Sequence, residues 1–219
     1  DLILVDTSII VKSPPRLTVA GMGDALATPF EAKACIDSNS PNFRDGLATG
    51  MAFAAAKLVY EILMEHGVEA KYCNEQQKLS VSFEKVVEAN TLLSGVGYEN
   101  CGLSVAHGLW SGMLQVAGFR GRDIHHGEIV AWFTIIQLLL ENQPKPLILE
   151  VIEFCNKVGL PITLNDSRLA SVGMEMISAG IRAAFIPEST VYHVPFSIDA
   201  QMVNQAMLEA DALGQGLSR

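Results

Sequence analysis

No Cys-x-x-Cys pair occurs in this chain of 219 residues; its four cysteines, Cys35, Cys73, Cys101 and Cys155, stand far apart. That spacing argues against a thiolate zinc knuckle. Their apolar neighbours predict reduced, buried thiols in a reducing, cytoplasmic compartment. Long apolar runs are also missing. The longest uncharged one, Ile129 to Leu140, falls short of the ~20 residues that span a bilayer. No basic segment with a cleavage site opens the chain, so no secretory leader is expected. Blocks of Lys or Arg are absent and the formal charge is −9, which argues against nucleic acid and anionic membranes as partners. Finally, no strand leads into a glycine-rich phosphate-binding turn, so these residues by themselves are expected to lack a dinucleotide site.

What is present is apolar and helical. Hydrophobic residues make up 49% of the chain and mean hydropathy is +0.28, which predicts a large core or a surface reserved for a partner domain or subunit. "DLILVDTSIIV" (1–11) reads as one β-strand with no partner later in the chain. A lone strand is unstable, so its sheet is expected in a preceding region or another chain. From residue 12 to 219 the reading is an all-α domain of eight or nine helices. Gly21 and Gly23 are expected to interrupt before a helix that starts near Asp24. Gly67 is expected to stop a helix over 47–66 with His66 at its end, ahead of a shorter helix over 69–78. Ser82 is expected to cap a helix over 83–94, and "GVGYENCG" (95–102) reads as a turn. Helices follow around His107, over 126–141, 147–158, about 167–183 and about 199–213. The segment 126–141 is apolar all round and therefore central.

Three separated stretches carry possible chemistry: "GMGDALATPFEAKAC" (21–35), "NCGLSVAHGLWSG" (100–112) and "RDIHHGEIVAWF" (122–133). Two histidines and one carboxylate supply three ligands to a divalent metal and leave a position open for water or substrate. Asp24, His107 and His126 are the candidates. His107 lies about eight residues, or ~12 Å, before its helix ends. The connection 116–125 reaches ~33 Å at most, enough to start the next helix beside His107. His125 would point ~100° away from His126, so only one of the pair can face inward. Taken singly, His107 also fits a hydrogen-bonded core histidine, His126 an exposed polar turn, and Asp24 a helix cap. The residues alone leave both readings open.

Taken together and in order, "GMGDALATPFEAKAC", "EANTLLSGVGYENCGLSVAHGLWSG" and "HHGEIVAWFTIIQLLLEN" resemble the C-terminal half of the glycerol dehydrogenases within the iron-containing (group III) alcohol dehydrogenase family. The similarity runs from the opening strand through "GLPITL" (159–164) and is weaker beyond it. The resemblance implies an N-terminal α/β NAD-binding domain, represented here only by its last strand (1–11). A helical, dehydroquinate synthase-like metal-binding domain follows (12–219). It implies that Asp24, His107 and His126 bind a metal, zinc in glycerol dehydrogenases and iron in relatives. It places His107 and Tyr98 at the substrate. The activity implied is metal-assisted oxidation of glycerol or a related polyol to a ketone, with hydride passing to NAD, in a homo-oligomer larger than a dimer.

Around this set, His125 reads as a neighbour without a ligand role. Glu128 reads as a charge matched to the helix dipole or as a partner orienting a ligand. Trp110 and Trp132 read as core residues, and His193 as a structural loop residue. Two other functions compete. One is a non-catalytic helical metal-binding module or oligomerisation scaffold. The other is a lyase or glycerol-phosphate dehydrogenase of the same superfold, which would place Arg120 and Arg122 near the metal.

Overall fold

The computed structural model describes residues 2–120 and 122–217. Among them no strand forms. Nine helices of eight or more residues make one bundle: α2 (Pro15–Asp37), α3 (Gly50–Glu75), α4 (Val81–Glu88), α5 (Ser94–Cys101), α6 (Val105–Gln115), α7 (His126–Leu140), α8 (Lys145–Val158), α9 (Met174–Ala183) and α10 (Ala200–Leu217). A one-turn helix, α1 (Thr7–Ile10), precedes them.

The strand expected over 1–11 is not formed among the described residues 2–11. Asp6 instead caps α1 by accepting from the Ser8 backbone N–H at 2.9 Å. Residues 2–6 have no regular structure and leave Leu2, Ile3 and Leu4 at least 86% exposed. The physical reason is the one that made the strand doubtful by itself: no sheet edge lies beside it. Val11 is buried, and Asn74 Nδ2 donates to the Val11 and Ser13 carbonyls at 2.8 and 3.1 Å, tying the chain entry to α3.

Three expected breaks are absent, and in each case the helix runs on. α2 is continuous from Pro15, which sits in its first turn, so Asp24 lies mid-helix rather than at a start. α3 passes through Gly67 to Glu75, absorbing the separate helix expected over 69–78 and leaving His66 in the interior. The turn expected over 95–102 is helix α5, which continues α4 through one π-helical turn, Ala89–Leu93, and stops at Gly102 with φ +102°. Ser80, not Ser82, caps α4 by accepting from Phe83 N. The region near 167–183 divides into a 3₁₀ turn, Leu169–Val172, and α9, separated by Gly173 at φ +85°.

Helix α7 is the axis of the molecule, as its all-round apolarity predicts. Ile129, Trp132, Phe133, Ile135, Ile136 and Leu138 are essentially inaccessible. It packs against α2, α6, α8 and α10. Met22 and Leu26 from α2, Leu63 from α3, Phe83 from α4, and Leu109 and Met113 from α6 complete the core. Removing this much apolar surface from water is the main favourable term in the fold, at ~1.5–3 kcal/mol per large side chain. All four cysteines are free; Cys35, Cys101 and Cys155 are buried and Cys73 is partly exposed. Among the described residues no helix is long and apolar enough to cross a membrane.

Candidate metal centre

Asp24 comes from the middle of α2, His107 from the first turn of α6, and His126 is the first residue of α7. Their side chains meet. Asp24 Oδ1 lies 3.1 Å from His107 Nε2 and 2.9 Å from His126 Nε2. One ligand atom from each residue falls within 4.8 Å of the other two. The imidazoles sit 5.2 Å apart, centroid to centroid, and Trp110 stands edge-on to His126 at 5.0 Å. Trp110 therefore braces His126 from the half-buried rim, whereas Trp132 is fully buried.

Each histidine and the aspartate has a glycine beside it, and the two at Gly23 and Gly127 are what bring α2 and α7 so close. A Cβ placed on Gly127 would lie 1.8 Å from the Ala20 carbonyl oxygen and 3.0 Å from Asp24 N. A Cβ on Gly23 would lie 2.4 Å from the Gly127 carbonyl oxygen. The crossing of α2 and α7 is thus backbone against backbone. Next to His107, a Cβ on Gly108 would lie 2.7 Å from Val191 N. The three-residue "HGE" therefore divides its work. His126 reaches Asp24, Gly127 permits the crossing, and Glu128 fastens the helix start. Glu128 accepts from Arg16 Nε at 2.5 Å and Nη2 at 2.8 Å, and from the His125 backbone N–H at 3.2 Å. Arg16 also holds Asp123, which Arg168 grips from the other side. Among the described residues the hydrogen bonds of Glu128 go to Arg16 and the His125 backbone, not to the three candidate ligands.

The electrostatics follow from these contacts. Burial disfavours a charged His107, but the carboxylates of Glu31 and Asp24 outweigh that and push its pKa up to about 10. Burial alone would raise Asp24, yet hydrogen bonds from His107 and His126 hold it well below the usual carboxylate range. Glu31 was not anticipated. It is fully buried on α2 and faces His107 Nδ1 at 2.5 Å. The signal was available in the sequence. Seven residues, two helical turns, separate Glu31 from Asp24 and put both carboxylates on one face.

A cavity of about 280 Å³ opens beside the triad, lined by Asp24, Thr28, Ser94, Tyr98, Leu103, His107 and His126. Tyr98 is on its wall, 42% exposed and edge-on to Phe43 at 5.6 Å. Thr28 and Ser94, also unanticipated, share a hydrogen bond at 2.8 Å. Arg120 and Arg122 do not line it; Arg120 bonds to the Leu114 carbonyl in α6 and Arg122 to the Gly118 carbonyl in their own loop. The remaining histidines have local partners. His66 Nδ1 meets Ser82 Oγ at 3.1 Å, and His193 Nδ1 meets the Leu103 carbonyl at 2.8 Å.

No family model matches the chain. Individual proteins do. The glycerol dehydrogenase of Citrobacter freundii is 40% identical over 215 residues, which is 98% of this chain and 58% of that protein. The glycerol dehydrogenase of Thermotoga maritima has the same identity and the same coverage. Among solved structures, a probable glycerol dehydrogenase from Sinorhizobium meliloti 1021 superposes with a TM-score of 0.89 at 38% identity, over 96% of this chain and 59% of that one. In sequence and in fold alike, the chain is a homologue of glycerol dehydrogenases, and it spans 58% of the length of the curated relatives it matches.

Proposed function

We propose that Asp24, His107 and His126 hold a divalent cation, and that this chain is the C-terminal metal- and polyol-binding part of an NAD-linked glycerol dehydrogenase. The observation that carries the reading is the convergence of one carboxylate oxygen and two imidazole nitrogens, from three helices, within 4.8 Å. The donor set suits the cation. Nitrogen and carboxylate oxygen are ligands that zinc accepts readily and that ferrous iron also takes. Three protein donors beside a cavity leave room for a substrate oxygen.

When bound, the cation supplies Lewis acidity that lowers the pKa of a substrate hydroxyl. The chain's own residues do the positioning. Asp24 and the two histidines fix where that hydroxyl sits, with His107 touching both the metal position and the substrate. The Thr28 and Ser94 hydroxyls offer donors and acceptors for a further hydroxyl of a polyol, and the Tyr98 ring closes one wall against water. Among the described residues no lysine or arginine lines the cavity, which favours a neutral polyol over a phosphorylated substrate. Hydride acceptance belongs to an NAD-binding part to which we assign residues 1–11, where the apolar Leu2, Ile3, Leu4 and Val5 suit a strand added to a sheet. We also assign residues 12–219 to the metal domain, the assembly to a homo-oligomer, and the location to the cytoplasm, where the buried free thiols stay reduced.

Metal analysis tests the reading directly. The parent chain is expected to bind one equivalent of zinc. Asp24→Ala and His107→Ala are each expected to lose it while keeping their helical circular dichroism. Full zinc occupancy in both variants would overturn the assignment. The 219 residues alone are expected to bind zinc without reducing NAD in the presence of glycerol. That separates a metal domain awaiting its NAD-binding part from a complete enzyme.

A further inference from the structure

We propose that Glu31 is a positioning residue, one that fixes the ring orientation and tautomer of His107 so that Nε2 presents its lone pair to the metal position. The proposal rests on the metal reading above.

Glu31 has the hallmarks of a carboxylate kept for a purpose. Its side chain is 0% exposed, and among the described residues no lysine or arginine pairs with it. Burying a carboxylate without a cation is costly unless hydrogen bonds replace its water. Three such contacts are present. Oε1 accepts from the backbone N–H of Ser104 at 2.9 Å and of His107 at 3.0 Å, satisfying two orphan donors at the start of α6. Oε2 is left for His107 Nδ1 at 2.5 Å. The two oxygens therefore do different jobs: one caps the helix that carries the histidine, and the other holds the histidine's ring.

The ring is clamped from both ends by a single helix. Asp24 and Glu31 stand two turns apart on α2, and the imidazole spans them, Nε2 toward Asp24 and Nδ1 toward Glu31. With a carboxylate at 2.5 Å, Nδ1 must carry a hydrogen; the other neutral tautomer would set lone pair against lone pair. Nε2 faces the Asp24 carboxylate at 3.1 Å and can carry a hydrogen too while no metal is bound; a metal would displace that one, and Glu31, by holding the hydrogen on Nδ1, makes Nε2 the nitrogen that becomes the donor atom. Partners of this kind on metal-bound histidines are worth about 10–100-fold in metal affinity.

The alternative is that Glu31 is a helix cap and nothing more, and Glu31→Gln separates the two. The glutamine oxygen can still accept from Ser104 and His107 backbone N–H groups. Its amide NH₂ would then face Nδ1 as a donor, which favours the tautomer with hydrogen on Nε2 and closes the metal-binding lone pair. Zinc affinity measured by chelator competition is expected to fall about 10–100-fold in Glu31→Gln, with far-UV circular dichroism unchanged. Zinc affinity within twofold of the parent, in a variant that keeps its helicity, overturns the proposal. Should Glu31→Gln fail to fold, ¹⁵N NMR of histidine in the zinc-loaded parent decides. Hydrogen on His107 Nδ1 with zinc on Nε2 supports the proposal, and zinc on Nδ1 refutes it. A parent chain that binds no zinc at all removes the metal reading and this proposal with it, whereas equal binding by parent and Glu31→Gln removes only this one.

Discussion

Gly127→Ala adds a single methyl group at the tightest point of the molecule, where a Cβ would lie 1.8 Å from the Ala20 carbonyl oxygen. Real Cβ atoms essentially never come closer than 3.0 Å to such a neighbour, so the helices must part by about 1.2 Å, the difference of those two distances. Neither side can yield by rotating a side chain, because the obstacle is backbone. α2 against α7 is the most extensive helix pairing in the bundle. A gap of 0.5–1 Å already forfeits roughly a quarter to a half of each dispersion contact across it. Overpacking ordinarily costs ~1–3 kcal/mol. With a rigid obstacle the upper end applies, about 3 kcal/mol. At ~2–4 °C per kcal/mol for a domain of this size, the midpoint should drop by about 6–12 °C. Asp24 N is 3.0 Å from the same added methyl, so the same strain should open the 2.9 Å contact between Asp24 and His126 and weaken zinc binding. Gly216→Ala in α10 is the control. A Cβ there meets nothing within 4 Å, and helix propensity predicts a gain of up to ~1 kcal/mol. Thermal and urea unfolding of the two variants, with chelator competition for zinc, reads both effects. A Gly127→Ala protein within about 1 kcal/mol of the parent, with zinc affinity unchanged, would refute the idea that this crossing sets the metal geometry.

Three further outcomes are expected. Zinc affinity should fall steadily as pH falls below about 10, the raised value of His107, since its proton must leave before it can ligate; affinity unchanged between pH 8 and pH 6 in chelator competition would count against histidine ligation. Burial tends to raise the Glu128 pKa, but the Arg16 bonds and the His125 N–H outweigh it and hold Glu128 below its ordinary 4.5. Its contribution to stability is therefore present above pH 4.5 and lost as pH falls through the lower folded value; urea titrations should show Glu128→Gln with a flatter acid limb than the parent, and identical limbs would contradict this. Thr28→Val removes the partner of the buried Ser94 hydroxyl and should cost ~1–3 kcal/mol in denaturant unfolding, with a cost below about 0.5 kcal/mol indicating that water replaces the bond.

The helical class and the central place of α7 were legible in the residues themselves, whereas Asp24, His107 and His126 were singled out as a ligand set only by the resemblance, the residues alone leaving both readings open. Apolar residues all round 126–141 require burial on every side, and the spacing from His107 to His126 permits their meeting. Glycine was the residue most often misread. Gly21, Gly23, Gly67, Gly95 and Gly97 suggested breaks, yet all lie inside helices. A glycine in a helix interior costs ~1 kcal/mol relative to alanine, so it points to a break or to a neighbour too close for a methyl, although Gly95 and Gly216 have neither. Sequence cannot distinguish these, because the neighbour lies on another helix. For Gly67 it is Phe154, 2.7 Å from where a Cβ would stand, and for Gly97 it is Thr28, at 2.6 Å. Glu31 escaped for a related reason. A buried carboxylate is recognisable only by what surrounds it, although its two-turn spacing from Asp24 was in plain view. One rule would have recovered the misread glycine beside Asp24. Asp24, His107 and His126 are each adjacent in sequence to a glycine at which a Cβ would collide with backbone of another segment. Short polar groups from three helices can approach one point only if the helix backbones do so as well, and glycine at the neighbouring position is what lets them. Read that way, Gly23-Asp24 and His126-Gly127 are the two halves of one helix crossing, which brings Asp24 and His126 together, while Gly108 beside His107 seats α6 on the turn at Val191.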